Sequence, residues 1–217
     1  NSIIPSGGLL NVPYFYEGCT CSYPLPIGLS MVAMPETHEQ WASWGEDPVK
    51  PNSILRIGLN FGAPGDRKTR DGTLWLDYPS VGGPSPQIRV ETSPTTPTFR
   101  YRHSLWMNKG QSQPWIGAST VEGLEELKLH DLNPGRYSVR LHLAETGGAK
   151  KGERIQTIQL QGKSVFSGFD IHSAANGSMT GLVREFETEI DDGTLKLNFK
   201  ASVGLSLISG IELIRKP

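Results

Sequence analysis

Cysteine is nearly absent: the 217 residues hold only Cys19 and Cys21. A fold stapled by disulfides is excluded, so the core has to come from apolar side chains, for which a chain of this length has room. Two residues apart on an extended segment, the two thiols would close a strained ring. Three readings stand: free or half-buried thiols, one thiol paired with a cysteine upstream of Asn1, or half of a metal site whose further ligands are not at finger-like spacing. An excess of charge of one sign is missing as well. With 21 basic and 22 acidic side chains the formal net charge is −1, which removes the global field that draws proteins to nucleic acid or to an anionic membrane. No apolar run approaches the roughly 18 residues of a membrane helix, so no membrane span is expected.

Catalytic spacing is absent too. The chain has no G-x-S-x-G elbow, no H-E-x-x-H, no G-x-x-x-x-G-K-[ST] and no G-x-G-x-x-G. The histidines (His38, His103, His130, His142, His172) are scattered, and His142 reads as a satisfied structural imidazole on a strand. Asp170 and His172 can share a face, but an aspartate in that setting suits the cap of a turn. Glu145 and Asp170 offer a carboxylate pair of the glycosidase type, although carboxylates are too common for that pairing to carry a function. The expectation is therefore no enzyme, no bound metal and no cofactor.

What is present is turn chemistry and a period of two. Gly 25 and Pro 16 are high, and five tryptophans accompany them. Tyr137, Val139, Leu141 and Leu143 alternate with Ser138, Arg140, His142 and Ala144, which marks a strand with one buried face. Gln161-Gly162 reads as a tight hairpin between Ile158/Leu160 and Val165/Phe166, so residues 136–171 read as an antiparallel meander. Alternation also marks strands over 54–59, 73–78, 87–91, 98–102, 123–132, 182–190 and 195–199, with one largely apolar strand over 205–214 closing the chain. Asp191-Asp192-Gly193-Thr194 is a turn, and 66–71 is a charged hairpin tip between the first two strands. These strands suffice for two packed sheets. The predicted core is Ile57, Leu59, Trp75, Val139, Leu141, Leu143, Phe169, Phe186, Leu197, Phe199, Ile211 and Leu213.

Residues 1–51 read differently. Pro5, Pro13, Pro24, Pro26 and Pro35 argue for an extended arm, followed by a short helix around Trp41 and Trp44 that pins it, and by a linker at 47–52. The start at Asn1 rather than Met suggests a piece of a longer, exported precursor. A calcium site from Asp66, Asp71 and Asp77 is conceivable but lacks regular ligand spacing. Asn176-Gly177-Ser178 matches a glycosylation acceptor, relevant only in a eukaryotic secretory route. Between His103 and Trp115, aromatics stand beside amides, a composition that suits sugar binding as well as rim packing.

The central and C-terminal residues resemble the malectin and malectin-like carbohydrate-binding family. The resemblance rests on Tyr137, Val139, Leu141, Leu143, Ala144 and Glu145, then Gly152 and Arg154, Gly162, Phe169-Asp170-Ile171, Asp192-Gly193-Thr194-Leu195 and Ile208-Ser209-Gly210-Ile211-Glu212-Leu213. Asn60-Phe61-Gly62, Gly72, Trp75 and Asp77 look like that family's opening motifs. Over about residues 54–215 this implies an all-β, jelly-roll (galactose-binding-like) β-sandwich, with residues 1–51 as the arm and 52–217 as the domain. It implies a non-catalytic module that takes an oligosaccharide or polysaccharide, extracellular or periplasmic. Thr146-Gly147 stands where animal malectin has an aromatic pair. By the same resemblance the ligand site lies where the loops after Leu59, Tyr101, Glu145 and Lys200 converge. Its candidate ligand-binding residues are Asp77, Tyr78, Tyr101, His103, Trp106 and Trp115. The arm looks like the segment that closes quinoprotein-type β-propellers in some large bacterial exported proteins, which implies an upstream β-propeller as partner. A structural cap on that propeller, without sugar binding, is the alternative role.

Overall fold

The computed structural model describes residues 3–7, 9–12, 29–32, 41, 55–82, 85 and 88–216. Cys19, Cys21 and the helix expected around Trp41 and Trp44, apart from Trp41 itself, fall outside them. The chain divides into two compact units, Asn1–His38 and Glu39–Pro217.

In the first unit three short strands, β1 (Ile4–Ser6), β2 (Leu9–Val12) and β3 (Leu29–Val32), pair antiparallel in that order. Proline is tolerated here because Pro5 lies on β1, an edge strand with one side free of ladder bonds. Ser30 Oγ donates to Asn11 Oδ1 at 2.7 Å, adding a side-chain bond to the β2–β3 pair.

The second unit is an all-β sandwich of the expected class. Its strands are β4 (Arg56–Phe61), β5 (Arg67–Lys68), β6 (Leu74–Tyr78), β7 (Val90–Ser93), β8 (Thr98–Tyr101), β9 (Ser119–Glu122) and β10 (Glu126–Leu129), then β11 (Gly135–Leu143), β12 (Ile155–Leu160), β13 (Lys163–Phe169), β14 (Leu182–Ile190), β15 (Leu195–Val203), β16 (Leu207–Ile208) and β17 (Gly210–Arg215). One-turn helices α1 (Pro114–Gly117) and α2 (Ile171–Ala174) interrupt them. A five-stranded sheet runs β13-β12-β15-β10-β7, a six-stranded sheet β14-β11-β17-β4-β6-β5, and a small one β16-β9-β8.

Period-two alternation builds the core. Ile57, Leu59 and Phe61 of β4, Tyr137, Val139, Leu141 and Leu143 of β11, and Ile211 and Leu213 of β17 meet Leu127, Ile158, Leu195, Leu197 and Phe199 of the other sheet in one buried cluster. Each such side chain contributes about 1.5–3 kcal/mol on burial. Phe169 and Phe186 pack against this cluster half-buried. Trp75 does not belong to it: with Trp115 and Ile116 it forms a separate buried cluster.

Connectivity departs from the sequence expectation in three places. β11 and β12 are not meander neighbours, because β11 lies in the six-stranded sheet and the β12–β13 hairpin in the five-stranded one. That hairpin turns at Gln161 (φ 48°) and Gly162 (φ 76°), the left-handed pair that a two-residue connection of this twist requires. β4 and β6 are not a hairpin either but pair parallel, Ile57 with Leu74 through Phe61 with Tyr78, while β5 folds back antiparallel on β6. The closing strand is two pieces: β16 pairs with β9, and β17 sits between β11 and β4.

Candidate functional site

The outer face of the six-stranded sheet carries a groove of about 830 Å³. Its floor begins with Trp75, which alternation turns away from the core-facing Leu76. Opposite it in register is Gly58. A Cβ at Gly58 would come within 2.3 Å of the Trp75 ring, and one at Gly210 within 3.1 Å of it, so the indole lies against two strands at positions where only glycine leaves room. Replacing Gly58 by Ala is expected to cost about 1–3 kcal/mol by overpacking. It should also shift the tryptophan emission, and urea unfolding monitored by fluorescence reads both. An unchanged midpoint would show that the ring yields freely.

Trp115, from α1, meets the edge of Trp75 at a centroid distance of 5.7 Å, and His142 meets it at 5.0 Å. Asn60 Nδ2 donates to the Trp115 carbonyl at 3.3 Å and ties α1 to β4. Gln111 N donates to Gly181 O at 2.7 Å and Asn108 N to Met179 O at 2.6 Å, which lays the segment before α1 along the start of β14. His142 Nδ1 pairs with Ser112 Oγ at 2.8 Å, while its Nε2 is buried without a partner. Burial pushes the imidazole pKa down to about 4; Glu212 opposes that shift and Arg140 reinforces it.

The rest of the floor is a row of alternating charges that crosses the strands. Glu185 accepts from Arg140 Nε at 2.8 Å, Arg140 Nη1 reaches Glu212 at 3.1 Å, Glu212 accepts from Arg56 Nε at 2.9 Å, and Arg56 Nη2 reaches Asp71 at 2.5 Å. Thr73 Oγ1 donates to Glu212 at 2.7 Å. The Asp71 pKa is lowered, first by the Thr69 hydroxyl, with Arg56 contributing. One wall is β5 and the turn after it, where the Arg67 guanidinium stands 4.8 Å from the Trp115 ring and 5.8 Å from that of Trp41. Gln111, Gln113 and Val183 form the facing wall. Such a surface offers charged hydrogen-bonding groups and amides in one open channel above a buried aromatic floor.

Of the six residues expected in the site, Trp115 lines this groove. Tyr101 reaches it indirectly: its ring is 6.3 Å from Trp41, which is 6.0 Å from Trp115. Tyr78 packs edge-on between Phe61 and Phe99 against the core. His103 caps the 3-10 turn Ser104–Trp106, its Nδ1 accepting from Leu105 N. Trp106 is exposed, with Arg102 5.8 Å from its ring. Asp77 lines a separate hollow of about 170 Å³ with Asp66. Burial raises the Asp77 pKa, against the Val81 N–H and with the help of the Asp66 charge. Asp71, bound to Arg56 and Thr69, stands apart in the charge row, and among the described residues no group of three or more acidic, histidine or cysteine side chains could hold a metal.

The loop end of the sandwich holds a buried ion network. Arg154 bonds Glu145 at 2.6 Å and Glu122 at 2.8 Å, and Arg100 bonds Glu122 at 2.9 Å. Thr146 Oγ1 pairs with Thr120 Oγ1 at 3.1 Å. Asp170 caps α2 by accepting from Ser173 N. Glu145 and Asp170 are thus each committed to structural partners. The groove was legible in part, because alternation turns Trp75, Arg140, His142 and Glu212 outward together; what obscured it was reading a large aromatic as core.

No curated protein sequence matches the chain. Among solved structures, a Bacteroides uniformis β-glucuronidase superposes with a TM-score of 0.59 at 15% identity, over 96% of this chain and 22% of that one. The chain therefore spans about a fifth of that enzyme's length. The plant receptor-like kinase FER gives 0.52 at 16% identity over 75% of this chain and 42% of that one. The ANX2 ectodomain from Arabidopsis thaliana gives 0.51 at 16% identity, with the same coverage. These likenesses concern the fold. In sequence, residues 128–213 match the family model described as the Malectin domain.

Proposed function

We propose that the chain is a non-catalytic carbohydrate-binding module of a larger exported protein, and that the groove on the six-stranded sheet is its binding surface. The observation that carries this reading is one open channel that brings Arg140, Glu212 and the Gln111–Gln113 wall together over the buried Trp75–Trp115 pair. Sugar hydroxyls take hydrogen bonds from charged and amide groups such as line this channel. The stretch that matches the Malectin model supplies Arg140, His142, Val183 and Glu212 of that channel. An accessory role suits a chain that spans a fifth to two-fifths of the proteins it superposes on. An upstream β-propeller in the same precursor and an extracellular or periplasmic setting belong to the same proposal.

The test is a glycan array followed by calorimetry on the best hit. With a few hydrogen-bonding groups in an open channel the affinity should lie in the millimolar to high-micromolar range, roughly 4–5.5 kcal/mol. Trp115→Ala should weaken it about tenfold, roughly 1.4 kcal/mol, whereas Trp106→Ala, on the exposed turn, should change it little. Binding insensitive to Trp115→Ala, or lost with Trp106→Ala, would move the site off the groove. Failure to bind any sugar would favour the docking role, for which exposed Leu105 and Trp106 are the specific observation.

A further inference from the structure

The hollow of about 170 Å³ beside β6 is lined by two carboxylates and no basic side chain. Asp66, in the turn that leads into β5, is 2% exposed, and Asp77, on β6, is 7% exposed. Asp66 Oδ1 accepts from Asp77 N at 2.9 Å, but its Oδ2 is buried with no hydrogen-bond partner among the described residues. Asp77 Oδ2 accepts from Val81 N at 2.8 Å. The two carboxyl groups lie in contact, and among the described residues no ion pair reaches either. The other buried acids differ in this respect: Glu122 and Glu145 each bond Arg154, and Glu212 bonds Arg56 and Arg140. Two adjoining buried charges without a counter-ion are costly, and only a proton or a cation relieves them.

From this we infer that Asp66 and Asp77 are the carboxylate ligands of a calcium ion held in this hollow, with oxygens of Gly65, Gly82 and Ser85 completing its shell. The lining has no imidazole and no thiolate, so it suits a hard cation rather than zinc or copper. Two carboxylates fall short of a cluster of three acids, but calcium takes hydroxyl, carbonyl and water oxygens as well. Magnesium demands a near-ideal octahedron and gives up its waters reluctantly, which a mixed set of loop oxygens serves less well. The ion ties the turn before β5 to the loop after β6. Because Arg67 follows Asp66 directly and opens β5, that tie also fixes one wall of the groove. Nothing in this depends on a bound sugar.

The test uses the full chain, stripped with EDTA and exchanged into metal-free neutral buffer. Calorimetry with CaCl2 should give one site with a Kd of about 10⁻⁴–10⁻³ M. At roughly tenfold excess over that Kd, calcium should raise the Tm by about 3–6 °C. Asp66→Asn, which keeps the size of the side chain and an oxygen for Asp77 N, should abolish both the heat and the shift. Asp191→Asn, on the exposed turn after β14, should leave both unchanged. Terbium, which takes the oxygen shells that calcium takes, should luminesce under tryptophan excitation because Trp41 lines the hollow, and CaCl2 should quench that signal. This reading needs only the wild type, so it stands if a variant fails to fold. A shift that survives Asp66→Asn, or is lost with Asp191→Asn, would place the ion elsewhere and overturn the inference. MgCl2 binding as tightly as CaCl2 would overturn the choice of calcium. No heat, no shift and no terbium signal would overturn it outright and leave the two carboxyl groups sharing a proton.

Discussion

Replacing Arg154 by Met should cost about 3–5 kcal/mol of stability, the range for removing one partner of a buried ion pair. The residue is 8% exposed, and it is the cation between Glu145, at 0%, and Glu122, at 5%. Its third nitrogen donates to Leu205 O at 2.6 Å, so it also ties the loop before β16 to the end of β11. Without it Glu122 keeps Arg100, but Glu145 keeps only the N–H groups of Gly147 and Ala149, at 2.8 and 3.3 Å. A buried carboxylate with so little compensation is unstable in either protonation state. Urea unfolding should show the midpoint falling. The double variant Glu145→Gln, Arg154→Met should recover part of the loss, because it removes the stranded charge as well as its partner. A single variant as stable as the wild type would mean that solvent reaches Glu145.

Acid should weaken the fold through His142. The unfolded imidazole takes a proton near pH 6.5, whereas in the folded chain it does so only near pH 4. Above pH 6.5 both states are neutral there, so the residue adds no pH dependence. Between about 6.5 and 4 the unfolded state alone is protonated, and stability falls by up to about 3 kcal/mol. Its surroundings fix that sign: Trp75 lies against the ring, Ser112 occupies Nδ1, and Arg140 on the same strand opposes a second positive charge, against the attraction of Glu212 on β17. Unfolding free energies at pH 7 and 4.5, for the wild type and for His142→Gln, isolate the contribution. The wild type should lose more on acidification, and parallel losses would show the imidazole to be solvated.

Both effects come from residues whose surroundings could hardly be foreseen from local sequence rules. Alternation along β11 told which side chains face the core, and Gln161-Gly162 told where the β12–β13 hairpin turns, because both are local rules. Whether an outward-facing position meets water is not local. Trp75 and His142 face outward, yet α1 and the segment before it, about 30–40 residues away in sequence, cover them. The loop 62–73 misled for a similar reason. Its length and charges suit a hairpin tip, but a two-residue strand within it returns to β6 and leaves β4 and β6 parallel. In the arm, prolines spoke against central strands and said nothing of an edge such as β1. The site was harder still: Trp115 was singled out by composition, while its partners Trp75, Arg67 and Arg140 come from separate stretches that only the folded sheet brings together.

The pairing of β17 with β4 carries a consequence for how such a unit is joined to other proteins. Ile214 lies beside Arg56, and Arg215 N donates to Leu55 O at 2.8 Å, so the strand that opens the sandwich and the strand that closes it are hydrogen-bonded neighbours running in opposite directions. Entry and exit points are therefore about 5 Å apart across a single ladder rung. A host chain could receive the sandwich within one of its own surface turns without spreading that turn's ends, as readily as it could carry the sandwich at a terminus. The same closure ties residues near 56 to residues near 214, so the six-stranded sheet can be completed only after nearly the whole unit has left the ribosome, and its assembly should be slow for its size.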